Sequence, residues 1–112
     1  MSKKYKMIGL FDADTIMTDK LTLGYTEATL NNRASIFGDA KVLKGHEFHY
    51  SSMTNHSKDL RFAYTLKKGK GIINGLDGLS SYNCIASYMH MHFINSKAIE
   101  NFITNCRKYA KK

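Results

Sequence analysis

Only one stretch of this 112-residue chain has the period of a helix, and that limits how the rest can be covered. From Ser96 onward, Ile99, Phe102, Ile103, Cys106, Tyr109 and Ala110 recur on a single helical face. Asn95 or Ser96 is placed to cap its start, and Glu100 lies in or near the first turn. Arg107, Lys108, Lys111 and Lys112 suit the negative end of the helix dipole. Upstream, the chain is a series of short alternating segments broken by turns. A single helix covers one face of a sheet of about five strands, so the other face must be polar, self-associating or covered by another chain. The expected fold is therefore α+β, a mostly antiparallel β-sheet ending in a strand–helix unit, within one domain spanning 1–112.

Tyr5 to Phe11 (YKMIGLF) reads as a short strand, with a turn at Asp12, Ala13 and Asp14. Leu21 to Thr29 alternates Leu21, Leu23 and Tyr25 against Thr22, Gly24 and Thr26, as a half-buried strand does. Asn31, Asn32 and Arg33 read as a loop, and Gly38-Asp39 as a tight turn. In the next strand, Lys41 to Tyr50, the residues Val42, His46, Phe48 and Tyr50 share one face, and Glu47 and His49 the other. Arg61 to Leu66 is a further strand, closed by the turn LKKGKG. Gly71 to Ser81 holds three glycines and reads as a loop, with room for a short strand at Gly71 to Asn74.

Chemistry concentrates in Ile85 to Phe93, IASYMHMHF. Alternation puts Ile85, Met89, Met91 and Phe93 on one face of this strand, and Tyr88, His90 and His92 on the other. Two imidazoles at the end of a buried strand are placed like chemical groups at the rim of a sheet. They can equally be core-edge histidines bonded to backbone. His46, His90 and His92 could in principle gather round a metal, but no third ligand stands at a fixed spacing, so no metal or cofactor is assigned to this chain. Cys84 and Cys106 lie inside apolar patterns without metal-ligand spacing or a tight glycine turn, and both are read as core residues.

The net charge of +8 raises the question of nucleic acid. The charge is dispersed, however, over Lys3, Lys4 and Lys6, over Lys67, Lys68 and Lys70, and over the C-terminus. Lysine outnumbers arginine fourteen to three, which suits solubility better than bidentate base reading. No apolar run approaches the ~18 residues of a membrane span. The basic, briefly apolar start lacks the long apolar region and cleavage site of a signal peptide. A reduced, cytoplasmic protein with neither membrane nor nucleic acid as partner is expected.

Three blocks carry a resemblance: MTDKLTLGYTEA (Met17 to Ala28), GHEFHYS (Gly45 to Ser51) and NCIASYMHMHF (Asn83 to Phe93). In order and spacing they resemble the C-terminal half of the glutamine amidotransferase domain of the cobyrinic acid a,c-diamide synthases, over about residues 7 to 106. The resemblance implies the C-terminal part of a class I glutamine amidotransferase domain, a flavodoxin-like fold. It implies a complete enzyme that uses ATP and magnesium in a separate synthetase domain to amidate two carboxylates of a corrinoid in cobalamin biosynthesis. The amidotransferase domain would supply ammonia from glutamine, with a cysteine on a strand-to-helix elbow paired with a histidine.

By its position in Tyr-x-His, His90 takes the role of that histidine, drawing the thiol proton and later returning one to departing ammonia. His92 is then a neighbour that orients or packs. Tyr88, His46, Glu47 and His49 are expected to line or brace the pocket, although alternation sets Glu47 and His49 opposite His46. A Glu47–His90 pair would suit a triad. The elbow is expected just upstream of the segment resembling Met7 to Phe11, and neither Cys84 nor Cys106 stands at its place. The family often has proline where Asp12 stands, and this chain has none.

These residues therefore imply a fragment or subunit that carries the base without the nucleophile and is inactive alone. Its expected partner is the synthetase and cysteine-elbow portion or a second copy of itself, with the YKMIGLF surface involved. A noncatalytic binding or assembly module of the same fold is the alternative, and a histidine-based metal or nucleic-acid binder a weaker one.

Overall fold

The computed structural model describes residues 5–92 and 94–111. Phe93, Lys3, Lys4 and Lys112, which entered the expectations above, lie outside them. The alternation seen from Leu21 to Thr29 belongs to a longer strand, β1 (Asp14–Leu30), whose register shifts between Met17 and Thr22. It pairs with β2 (Val42–Thr54) and, near its end, with β3 (Phe62–Lys68). Three short strands follow, β4 (Leu76–Ser81), β5 (Cys84–Ala86) and β6 (Met89–Met91). The six form one sheet in the order β5-β4-β3-β1-β2-β6, with every neighbouring pair antiparallel.

The mostly antiparallel α+β reading holds, with four corrections. Tyr5 to Phe11 is irregular, and Met7 and Ile8 stand 89% and 97% exposed. An apolar run becomes a strand only where a partner edge takes its hydrogen bonds, and no strand of the sheet pairs with this one. Gly71 to Ser81 is not a loop throughout. It contains β4, and Gly71 to Asn74 contributes only an isolated bridge from Ile73 to Leu76. Glycine-rich sequence hid that strand, because Gly78 sits at φ 68° against the Tyr64 ring, where a side chain would collide. The run Ile85 to Phe93, thirdly, breaks into β5 and β6 around Ser87 and Tyr88, so one alternation does not carry through it.

The fourth correction concerns the helix, α1 (Ser96–Ala110). Its expected stripe is not its buried face. Phe102, Ile103 and Tyr109 are 43%, 44% and 79% exposed, and Cys106 is exposed too. α1 docks through the buried Ala98, two asparagines and, alone of these three apolar residues, Phe102, whose ring lies 6.2 Å from that of Phe37, onto the 3₁₀ segment Asn32–Phe37. Asn101 Nδ2 donates to Phe37 O at 2.8 Å, and Asn105 Nδ2 to Ile36 O at 3.0 Å. Side-chain amides that satisfy otherwise orphaned carbonyls select this face over the apolar one. Asn95 is the N-cap residue, but its side chain bonds the backbone of Lys44 on β2 rather than the helix.

The core lies between the inner face of the sheet and the 3₁₀ segment. It joins Ala28, Leu43, Ala63, Tyr64, Leu66 and Met89 to Ala34, Phe37 and Ala98. Cys84 is exposed as well, at the start of the edge strand β5, so neither cysteine is a core residue.

Candidate active site

Gly45 decides how β6 joins the sheet. A Cβ there would run into the carbonyl oxygen of His90, so only glycine lets the two backbones approach. The resulting ladder sets Gly45 opposite Met91, His46 opposite His90 and Glu47 opposite Met89. Because side chains alternate, each ladder step feeds a different face.

On the outer face, His90 Nδ1 and His46 Nε2 lie 3.3 Å apart, with ring centroids 5.0 Å apart and the rings inclined at 78°. Both residues are exposed. When His90 donates from Nδ1 to His46, its Nε2 is left as the basic nitrogen, open on the surface. Around the pair the face is apolar and uncovered. Leu23 stands opposite Phe48 and Tyr25 opposite His46, at 63%, 52% and 77% exposure for Leu23, Phe48 and Tyr25. Tyr50 meets the Phe48 ring edge-on at 6.2 Å.

The inner face carries a different assembly. Glu47 is 2% exposed. Its carboxylate accepts from Lys70 N at 2.7 Å and Gly71 N at 3.2 Å, and meets His49 Nε2 at 3.2 Å. The loop reaches Glu47 because Gly71 takes φ 67° with backbone of β4 packed where a Cβ would stand. His49 Nδ1 faces Ser51 O at 3.1 Å, and its ring stacks on Tyr88 at 3.8 Å, within 6° of parallel. The Tyr88 hydroxyl bonds Ser51 Oγ at 2.8 Å. Beside them opens a cavity of about 420 Å³ lined by Thr22, His49, Ser51, Lys70, Asn74 and Tyr88.

Asp77, which sequence reasoning placed in a loop, closes this network. It is fully buried and accepts from Tyr88 N at 3.1 Å and Met89 N at 2.9 Å, the two residues that lead into His90. Burial pushes its carboxyl above the ordinary carboxylate range, and the nearby Glu47 adds to this. The N–H groups of Met89, Gly78 and Tyr88 pull the other way. Burial, with help from the Asp77 charge, also raises the Tyr64 phenol. The available signal was an acid set among leucines and glycines in LDGL, a pattern that suits burial more than a solvated turn.

Of the six residues singled out from sequence, the structure brings His46 to His90, and Glu47 and His49 to Tyr88. Tyr88 is therefore not on the face of His90, as expected, but on the opposite one, because β6 begins only at Met89. Glu47 and His90 are likewise separated by the sheet and form no triad pair. His92 lies past the end of β6, where its Nδ1 accepts from Ile94 N at 3.0 Å, so it does not complete a three-histidine cluster. Among the described residues no group of three or more His, Cys, Asp or Glu could hold a metal. Both buried carboxylates are already taken up by backbone N–H groups.

Residues 1–98 match the model of the CobB/CobQ-like glutamine amidotransferase domain. The chain belongs to that family. Among curated proteins it is 41% identical over 100 residues to a cobyrinate a,c-diamide synthase of Sulfurisphaera tokodaii, covering 89% of this chain and 23% of that one. To the cobyrinate a,c-diamide synthase of Saccharolobus solfataricus it is 44% identical over 94 residues, covering 84% and 21%. The family member described here thus spans about a fifth of those relatives. Among solved structures, a putative GMP synthase subunit of Thermoplasma acidophilum superposes with a TM-score of 0.59 at 18% identity, over 88% of this chain and 51% of that one. That similarity shows the fold: this sheet and helix follow about half of that chain. No helix among the described residues is long and apolar enough to cross a membrane.

Proposed function

We propose that this chain is the histidine-bearing C-terminal part of a class I, flavodoxin-like glutamine amidotransferase domain, acting in the cytoplasmic synthesis of cobyrinate a,c-diamide. The observation that carries the reading is the state of His90. Its Nδ1 is engaged by His46 at 3.3 Å, and its Nε2 is left open on an uncovered apolar face. A general base for a thiol needs this arrangement, with one ring nitrogen held and the other free for the nucleophile.

His90 draws the proton from a cysteine thiol supplied by a portion outside this chain, and returns a proton to ammonia as it leaves glutamine. His46 is the positioning residue that fixes the ring. Neither cysteine stands on the strands that carry the pair: Cys84 lies on β5, at the other end of the strand order from β6, and Cys106 lies on α1. The cysteine-bearing portion covers the face of Leu23, Tyr25, Phe48 and Tyr50, and the synthetase portion brings ATP and magnesium to the corrinoid carboxylates. Residues 1–112 act as a partial domain within that assembly.

The test is reconstitution with a cobyrinate a,c-diamide synthase truncated before its matching segment. Adding this chain should restore glutamine-dependent amidation. His90→Ala should lower it by about 10²–10⁴-fold while sparing synthesis from added ammonia. Ammonia release from glutamine by this chain alone, abolished by substituting Cys84 or Cys106, would overturn the proposal. So would equal loss of the glutamine and ammonia reactions in His90→Ala.

A further inference from the structure

We infer that His46 and His90 chelate a divalent late first-row transition-metal ion, with zinc as the reference ion. Two imidazoles bound to one tetrahedral zinc at about 2.0–2.1 Å have their ligating nitrogens about 3.3–3.4 Å apart and their ring centroids about 5.2 Å apart. The pair shows 3.3 Å and 5.0 Å. An end-on hydrogen bond in line with both rings, at the same nitrogen separation, would hold the centroids about 5.6 Å apart. The rings are therefore not both in line with the N···N vector, and their nitrogen and centroid separations are close to those of two imidazoles sharing one ion. A hydrogen bond satisfies only one of the two nitrogens as acceptor, and an ion satisfies both.

The scaffold suits such a site. His46 and His90 face each other directly across the β2–β6 ladder, and the close approach at Gly45 fixes that ladder. Ligands on paired strands are held more firmly than ligands on loops. Imidazole nitrogens select zinc, copper and nickel over magnesium and calcium. Both residues are exposed, and among the described residues no third histidine, cysteine or carboxylate joins them, which leaves the remaining positions to water. His92 does not take part, since its Nδ1 faces Ile94 N.

The chelate rests on ring geometry alone and stands whether or not the amidotransferase reading does. Where that reading also holds, an ion on His90 Nδ1 leaves the proton on Nε2 and removes the base, so occupancy of the site switches the glutaminase step off.

The experiment is a titration of the tag-free chain with zinc chloride by calorimetry, with histidine ring signals followed by NMR. One zinc per chain is expected, with perturbation centred on His46 and His90 and no response to magnesium. One zinc per two chains with the same perturbation also supports the chelate, completed by a second copy. His46→Ala and His90→Ala should each weaken binding by at least about tenfold, and His92→Ala and His49→Ala should leave it unchanged. No heat up to millimolar zinc, or binding that survives both His46→Ala and His90→Ala, would overturn the inference. The ring mapping on the unaltered chain also decides the case if a variant misfolds: perturbation confined to His49, His56 or His92 sinks the proposal.

Discussion

The two faces of the β2–β6 strand pair are built by opposite rules. On the inner face, Glu47, His49, Ser51, Tyr88 and Asp77 bond to one another or to backbone, and Glu47 and Asp77 are almost fully buried. On the outer face, His46 and His90 have each other and solvent, among exposed apolar side chains. A satisfied buried network positions backbone and resists change. An open pair beside an uncovered apolar surface is poised for something that arrives. The difference teaches that a single strand can divide its labour by parity: odd positions of β2 hold the site together, and even ones present it.

The contrast can be broken most forcefully at Asp77. Asp77→Ala leaves the N–H groups of Tyr88 and Met89 buried without acceptors, and should lower unfolding stability by about 3 kcal/mol, read from urea denaturation. A change within about 0.5 kcal/mol would show that the inner network does not position β6.

Asp77 also gives a pH signature. Its folded-state carboxyl is raised above the ordinary aspartate value of 3.8, so the folded chain binds the proton more tightly than the unfolded chain. Its contribution is therefore fully present below that value and is lost as pH rises through the higher folded value. The stability of the parent relative to Asp77→Asn should fall over that window and then level off. A relative stability that rises with pH there would mean that the backbone N–H groups outweigh burial.

A smaller effect is expected at Glu47. Glu47→Gln keeps an acceptor for the 70–71 loop but loses the charge facing His49, and should cost about 1–2 kcal/mol. The outer pair should show no such loss: His46→Ala and His90→Ala should unfold with the parent, because both side chains are exposed.

The parity of β2 was legible in the sequence because KVLKGHEFHY keeps one unbroken two-residue period, which already separated His46 from Glu47 and His49. The pairing of His46 with His90 was not, since register between distant strands depends on Gly45 and on backbone contacts that no local pattern encodes. Tyr88 was misplaced because the period was carried across a break in the strand. The helix was correctly placed, but most of its apolar stripe is exposed: its asparagines, with the Phe102 ring against Phe37, find the partners in this chain. Asp77 was missed for a related reason, as glycine and acid in LDGL imitate a turn when the surrounding burial is unknown. The family, by contrast, was readable from GHEFHYS and SYMHMHF, because such blocks record a site's chemistry more directly than its packing.

The smallest effect on stability should come from the outer apolar face, where the contrast can be sharpened. Phe48 and Tyr25 are 52% and 77% exposed and make few contacts to lose. Phe48→Ser and Tyr25→Ser should therefore shift unfolding by no more than about 0.5 kcal/mol. Association is a separate matter. Aromatic side chains at the centre of a contact patch carry much of its energy, and truncating one typically costs about 2 kcal/mol or more of binding, some thirtyfold in affinity. Sedimentation of the chain, alone and with the cysteine-bearing portion, should thus show the variants weakened in assembly while they fold like the parent. If instead both variants lost stability and assembly together, the outer face would be closing the chain's own core, and the division of labour between the two faces would not hold.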